Sequence, residues 1–220
     1  MLEIDSNAVV GSGSHRICYY HPEDENLCVK IDYAPDTKAS LREKQYYALL
    51  NKRNYSWRLI PKYYGNYATN LGAGDVFDLV RDENGDVSKT LSDYLMQESN
   101  SHNSALIKGF CEFKQALFAD ALSTHKLHPD NIAVQAHSNG FRLLLIDDIG
   151  NSEFFPISTY IRYFGRRKIS RRWARFERLL RSTFNNSQVL DELLNNASKG
   201  KECQMLARAD NRVFHNTQTV

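Results

Sequence analysis

Residues 122–134 read "LSTHKLHPDNIAV", and the fold is decided by what this stretch joins. Asn131 follows Pro129 in a loop between a long helix and a strand. Upstream, "ALIKGFCEFKQALFADALS" places Leu106, Phe110, Phe113, Leu117 and Ala121 at helical spacing over about five turns. That helix is expected to be the spine of the second half of the chain. Downstream, "IAVQ" and "FRLLLID" read as strands joined by "AHSNG", in which Asn139 and Gly140 supply a tight hairpin turn.

The first half reads differently. Residues 8–31 are strand-like: "AVVGSGSHRICYY" breaks at glycines, and "LCVKIDY" is short, β-branched and follows the turn-like "HPEDEN". From Lys38 to about Arg53 the pattern is helical, with Ser40 and Glu43 spaced as a capping box. A further strand pair is expected at "KYYGNYA" and "DVFDLV", split by the glycines of "NLGAG". Five short strands and one helix would form a compact first unit, giving an α+β chain.

The bulk composition agrees with a folded, water-soluble protein. The 220 residues are long enough for one domain or two small lobes around a shared cleft, and 42% hydrophobic with 25% charged residues is ordinary for such a chain. The net charge of +2 demands no nucleic-acid partner. The start "MLEIDSNAVVGSG" has neither the basic residues nor the apolar run of a signal peptide, and no stretch approaches the roughly 20 apolar residues of a membrane span. Cys18, Cys28, Cys111 and Cys203 form no CxxC pair, which argues against structural zinc and a disulfide framework and points to a reducing cytoplasm.

Several segments carry side chains that suggest chemistry. Gly11 and Gly13, with Ser12 and Ser14, form a turn between strands. Such a turn serves a hairpin, but small residues also let backbone N–H groups approach phosphate oxygens. Lys30 in "CVKI" lies on the face of Cys28, pointing inward, and a buried lysine needs a partner. Glu43 shares a helical face with Tyr46, Tyr47 and Leu50 and is the natural candidate; the alternatives are a Glu43 that caps its helix and a Lys30 that snorkels outward. Asn131, Asp147 and Asp148 offer hard oxygen ligands of the kind magnesium takes beside nucleotide phosphates. Adjacent strand residues point to opposite faces, so only one aspartate is expected to face a cleft. Alignment of Asp-x-Gly on Gly150 selects Asp148, and the face of Leu143 and Leu145 selects Asp147.

In this order the segments resemble the protein-kinase-like superfamily. Gly11 to Arg16 look like its glycine-rich loop, "CVKI" like its strand-three lysine, Glu43 like its helix-C partner, and "DDIG" like its D-F-G. "KLHPDN" is similar to the D-L-H-P-x-N loop of aminoglycoside and other small-molecule kinases. More closely, "GSGSHRICYYHPEDENLCVKI", "REKQYYALL", "IPKYYG" and "LIDDIGN" resemble the bacterial YrbL family, the PhoP regulatory network proteins. The resemblance implies two lobes, residues 1–82 and 83–210, followed by a loose tail at 211–220. It implies ATP and Mg2+ as ligands, with Gly11, Ser12, Gly13, Ser14, Lys30, Glu43, Leu79 and Val80 on the nucleotide and Asn131 with Asp147 or Asp148 on the metal.

The departures bear on activity. Lys126 stands where the loop aspartate would orient an acceptor hydroxyl, and Arg16 stands where a third glycine would be. Only 70 residues follow Gly150, with no A-P-E segment, so the second lobe is reduced. With Lys126 and His128 the loop is electropositive, suited to holding phosphate and poorly suited to activating a hydroxyl. Two classes of function follow: a phosphotransferase acting on a non-protein acceptor, and a pseudokinase that binds nucleotide or a partner without turnover.

From Ile157 onward the chain reads helical and basic. In residues 162–181, Arg162, Arg166, Arg167, Lys168, Arg171, Arg172, Arg175, Arg178 and Arg181 are opposed by Glu177 alone. This is either a solvated helical face or a site for an anionic partner such as a phosphorylated sugar, a lipid headgroup or a membrane surface. Trp173 and Phe176 are expected to pack inward, and no RNA-binding motif is present. Weaker helices are expected at "QVLDELLNN" and "KECQMLARA".

Overall fold

Alternation along "LCVKID" organises the first half of the molecule. In the computed structural model, which describes residues 1–34, 38–97, 103–150, 162–185 and 187–198, this segment is strand β3 (Leu27–Asp32) at the centre of a five-stranded antiparallel sheet. Around it lie β1 (Val9–Ser12), β2 (Arg16–Tyr20), β4 (Tyr63–Thr69) and β5 (Gly72–Asp78), in the order β1-β2-β3-β5-β4. Val29 and Ile31 point to one face, where they pack with Tyr19, Val76 and Ile4 of the N-terminal segment. Cys28 points to the other, with Phe77 and with Tyr46, Tyr47 and Leu50 of helix α1 (Lys38–Lys52). Both faces are therefore covered. The five expected strands and one helix are all present.

Ser40 does not cap α1. It is the third helical residue, and its hydroxyl donates to Asp75 Oδ2 at 3.4 Å, so the Ser40–Glu43 capping box is replaced by contacts from the helix to the sheet. A capping box does occur further on, where Thr90 and Asp93 open the short helix α2 (Leu91–Met96).

The second half is built on α3 (Asn103–Asp120), whose Leu106, Phe110, Phe113 and Leu117 are buried. Ala121 falls just beyond the helix at a φ of 50°, a left-handed residue that turns the chain into the loop. A 3-10 turn (Pro129–Asn131) leads into the hairpin β6 (Ile132–His137) and β7 (Gly140–Leu145). His137 pairs with Gly140, so the two-residue turn is Ser138–Asn139 rather than Asn139–Gly140; Gly140, at a φ of 128°, is the first residue of the returning strand. Helix α3 lies so close to β7 that a Cβ on Gly109 would stand 2.4 Å from the Phe141 carbonyl oxygen.

Helix α4 (Arg162–Thr183) turns Ile169, Trp173, Phe176 and Leu180 inward. Trp173 meets Phe110 and Phe176 at ring separations of 5.4 and 5.5 Å, so these aromatics pack as expected. Helix α5 (Gln188–Ser198) completes the core with Val189, Leu190, Leu193, Leu194 and Ala197. The expected helix at "KECQMLARA" and the tail at 211–220 lie outside the described residues. Cys18 and Cys28 are free thiols, but Cys111 is disulfide-bonded, which corrects the expectation that the cysteines stay unpaired. No described helix is long and apolar enough to cross a membrane.

Candidate functional site

A cavity of about 610 Å3 opens between the five-stranded sheet and the β6–β7 hairpin. Its lining includes Gly11, Ser12, Gly13, Ser14, Lys30, Leu79, Val80, Lys126, His128, Asn131, Asp147 and Asp148. Of the residues expected at a site, only Glu43 is missing from this wall. It lines an adjoining space of about 190 Å3 that shares Gly13, Ser14, Arg16, Asn131, Asp147 and Asp148 with the larger one.

The β1–β2 turn is closed by Gly13 N–H donating to the Arg16 carbonyl at 2.9 Å. A Cβ on Gly11 would meet nothing within 4 Å, and neither Gly11 nor Gly13 has a positive φ. The backbone here does not need glycine for its own conformation. What glycine provides is bare main chain beside the cavity, the condition for close approach of a phosphate.

Lys30 does not pair with Glu43. Its ammonium donates to the Ile146 carbonyl at 2.6 Å and lies 4.8 Å from the centre of the Phe77 ring. Arg16 takes Glu43 instead. One guanidinium nitrogen, Nη1, donates to Glu43 Oε2 at 2.7 Å, and Nη2 donates to Asp147 Oδ1. The physical reason is shape: a planar fork can serve two carboxylates at once, which a single ammonium cannot do in fixed geometry. Burial opposes charge on Arg16, but Glu43 and Asp147 outweigh it and raise the guanidinium pKa further. Glu43 is 7% exposed, and its second oxygen, Oε1, is buried without a hydrogen-bond partner.

Asp147 and Asp148 both face the cavity, against the expectation that only one would. Strand β7 ends at Leu145, and Asp148 adopts a φ of 58°, so the strict alternation of a strand no longer applies. The two carboxyls differ in state. Burial works against ionisation of Asp147, yet the charges of Lys30 and Arg16 hold it down to about 2. For Asp148, burial and then the neighbouring Asp147 push the carboxyl above its ordinary value, against the pull of His125, Lys126 and Arg16. Asn131 Nδ2 donates to Asp148 Oδ2 at 2.9 Å, placing amide and carboxylate side by side.

The loop is held from three directions. His125 N–H donates to the Asp148 carbonyl at 2.7 Å, Gly150 N–H to the Ser123 carbonyl at 2.9 Å, and Ser123 N–H to the Tyr46 hydroxyl at 2.8 Å. The Thr124 hydroxyl donates to the Asp148 carbonyl at 2.9 Å and lies 3.1 Å from that of Lys126. His128 Nδ1 accepts from Asp130 N–H at 3.4 Å as the cap of the 3-10 turn and lies 3.1 Å from the Asp130 carboxylate. Lys126 is exposed at the cavity mouth.

Among the described residues no group of three or more histidines, cysteines and acids could by itself hold a metal. Asp148 instead offers carboxylate oxygens beside the Asn131 amide, whose own oxygen is a further hard ligand, and this chemistry suits a magnesium ion that completes its shell with phosphate and water. The residues present therefore fit a nucleotide-borne metal and not a resident one. Among the lining residues that sequence reasoning missed are Arg16, as an ion-pair donor, and the acids Asp78, Asp93 and Asp130. For Arg16 the available signal was that two acids were expected inside and a single inward lysine could not satisfy both.

These features define an α+β protein with a polar cleft between an antiparallel sheet and a helix-backed hairpin. The model of the PhoP regulatory network protein YrbL family matches residues 2–181, and the chain belongs to that family. It is 33% identical over 181 residues to the "Uncharacterized protein YrbL" of Escherichia coli K12, an alignment covering 80% of this chain and 86% of the relative. The protein of the same name from Shigella flexneri aligns with the same identity and coverage.

Proposed function

We propose that the chain is an ATP-binding phosphotransferase of protein-kinase-like architecture that acts on a non-protein acceptor. In this reading residues 1–82 form one lobe, residues 83–210 a reduced, mainly helical second lobe, and the nucleotide lies in the cleft between them, in a bacterial cytoplasm. The observation that carries it is convergence: segments far apart in sequence bring a bare glycine turn, an inward lysine, an Asn–Asp pair and two apolar residues, Leu79 and Val80, to one cavity.

In this reading Lys30 would contact the α and β phosphates, and the main chain at Gly11 to Ser14 would cover them. Asn131 and Asp148 would hold Mg2+, which when bound neutralises phosphate charge. Lys126 and His128 add positive charge at the γ-phosphate end. A second reading, a pseudokinase that binds without turnover, is favoured by one observation: Lys126 occupies the place of a base, and an ammonium cannot accept a proton.

Thermal unfolding with ATP and Mg2+ tests both readings. A ligand that binds only the folded state stabilises it by about 2.7 kcal/mol at a hundredfold excess over its Kd. No rise in Tm at millimolar nucleotide would reject the cleft as a nucleotide site. Lys30→Met should remove most of the rise and leave the protein folded; release of ADP then separates transfer from binding alone.

A further inference from the structure

The contact between Arg16 and the two carboxylates suggests a role the sequence does not announce. We propose that Arg16 is a built-in substitute for a metal ion at Asp147, so that nucleotide binds with at most one magnesium, on Asn131 and Asp148, and still binds when magnesium is withheld. The inference rests on the nucleotide-binding reading of the cleft.

Three observations carry it. Asp147 Oδ1 already accepts from Arg16 Nη2 and from the Asp148 N–H at 2.8 Å, so the oxygen a cation would take is used twice. The guanidinium is buried, with Arg16 9% exposed, and a divalent ion on Asp147 would place like charges side by side. Asp148, by contrast, accepts from the neutral Asn131 amide, and no described cation lies within ion-pair distance of it. One aspartate is thus engaged through Oδ1 by a cation from its own chain, and the other is left for a cation from solution.

The orphaned Glu43 Oε1 adds a consequence. Without Arg16, the buried Glu43 would lack its counterion and the half-buried Asp147 would keep only the nearby charge of Lys30, so the site would favour a positive ion from outside. The fork that now fills that demand is anchored to the glycine turn through the Gly13 N–H bond to the Arg16 carbonyl. It sits at the edge of the space where nucleotide phosphates would lie.

The test is calorimetric titration of the full-length protein with ATP in excess Mg2+ and in EDTA, beside melting curves with MgCl2 alone. Wild-type affinity should differ by no more than about threefold between the two buffers. Arg16→Gln should bind ATP at least about tenfold more weakly in EDTA than in Mg2+, and MgCl2 alone should raise its Tm but not that of the wild type. If Arg16→Gln does not fold, Arg16→Lys serves, with an intermediate dependence expected, and the wild-type comparison stands by itself. ATP binding by the wild type that falls about tenfold or more in EDTA overturns the substitution while leaving the cleft reading intact. Failure of the wild type to bind ATP in either buffer overturns the cleft reading and the role of Arg16 with it.

Discussion

Under the proposed nucleotide-binding function, Lys126 is the residue at which holding phosphate and transferring it would part company. General-base assistance is worth about 10² to 10⁴-fold, and a lysine in its ammonium form supplies none of it. Lys126→Asp puts a carboxylate near Asp148, whose own ionisation is already resisted by burial and by Asp147. The expected outcome is weaker ATP binding without new turnover, checked by titration and by ADP release; tighter binding with turnover would identify a site that lacks only its base. Asp147 gives a second, independent expectation. Its carboxyl is held at about 2 in the fold against roughly 4 for an ordinary aspartate, so its contribution to stability is complete above about pH 4 and is lost as the pH falls towards 2. Urea midpoints of wild type and Asp147→Asn should therefore converge as the pH is lowered through that window, whereas a constant gap would assign the effect to shape. At this scale the sequence shows which residues gather and not how they pair. Arg16 is 27 positions from Glu43 and 131 from Asp147, and no local pattern encodes a fork that bridges such distances.

Among the elements, the contact of α3 with β7 has the least tolerance. Gly109 breaks the apolar run of the helix, and helix propensity alone favours alanine there by about 1 kcal/mol. The structure reverses that preference. An added Cβ would stand 2.4 Å from the Phe141 carbonyl oxygen and 3.1 Å from Leu143 Cδ1, and a backbone atom in a paired strand cannot step aside cheaply. Gly109→Ala should destabilise by about 1–3 kcal/mol, read as a lower urea midpoint at unchanged slope. An unchanged or higher midpoint would show that the hairpin can shift away from the helix. Element identity was legible wherever periodicity was sustained, as in α3 and in the alternating β3. What failed were terminal details: Ser40 matched the spacing of a cap but lies inside its helix, and Asp147 matched strand alternation but lies beyond its strand.

At the scale of the whole molecule, the net charge of +2 conceals an uneven distribution. Arg167, Arg171, Arg175, Arg178 and Arg181 lie within one arc of α4, over about 21 Å at 1.5 Å per residue, and all are exposed. Glu177, the acid of that segment, is turned to Trp173 and Lys114 and does not neutralise the stripe. Such a stripe would be drawn to an anionic surface by about 1 kcal/mol per arginine near charged lipid. Vesicles rich in phosphatidylserine should retain the protein at low salt and release it as salt is raised, and serine at Arg167, Arg171, Arg175 and Arg178 together should weaken retention at least about tenfold. Equal retention on neutral vesicles would remove the stripe as the cause. The architecture also constrains how the cleft can move. Helix α1 is tied to the loop through the Tyr46 hydroxyl and Ser123 N–H, and to the start of β2 and the Asp147 carboxylate through Glu43 and Arg16. A helix moored at two successive turns cannot roll about its own axis without parting one mooring. Any opening of the cleft would then be a tilt of α1 that keeps Ser123 and Arg16 at their moorings and draws the glycine turn along with it.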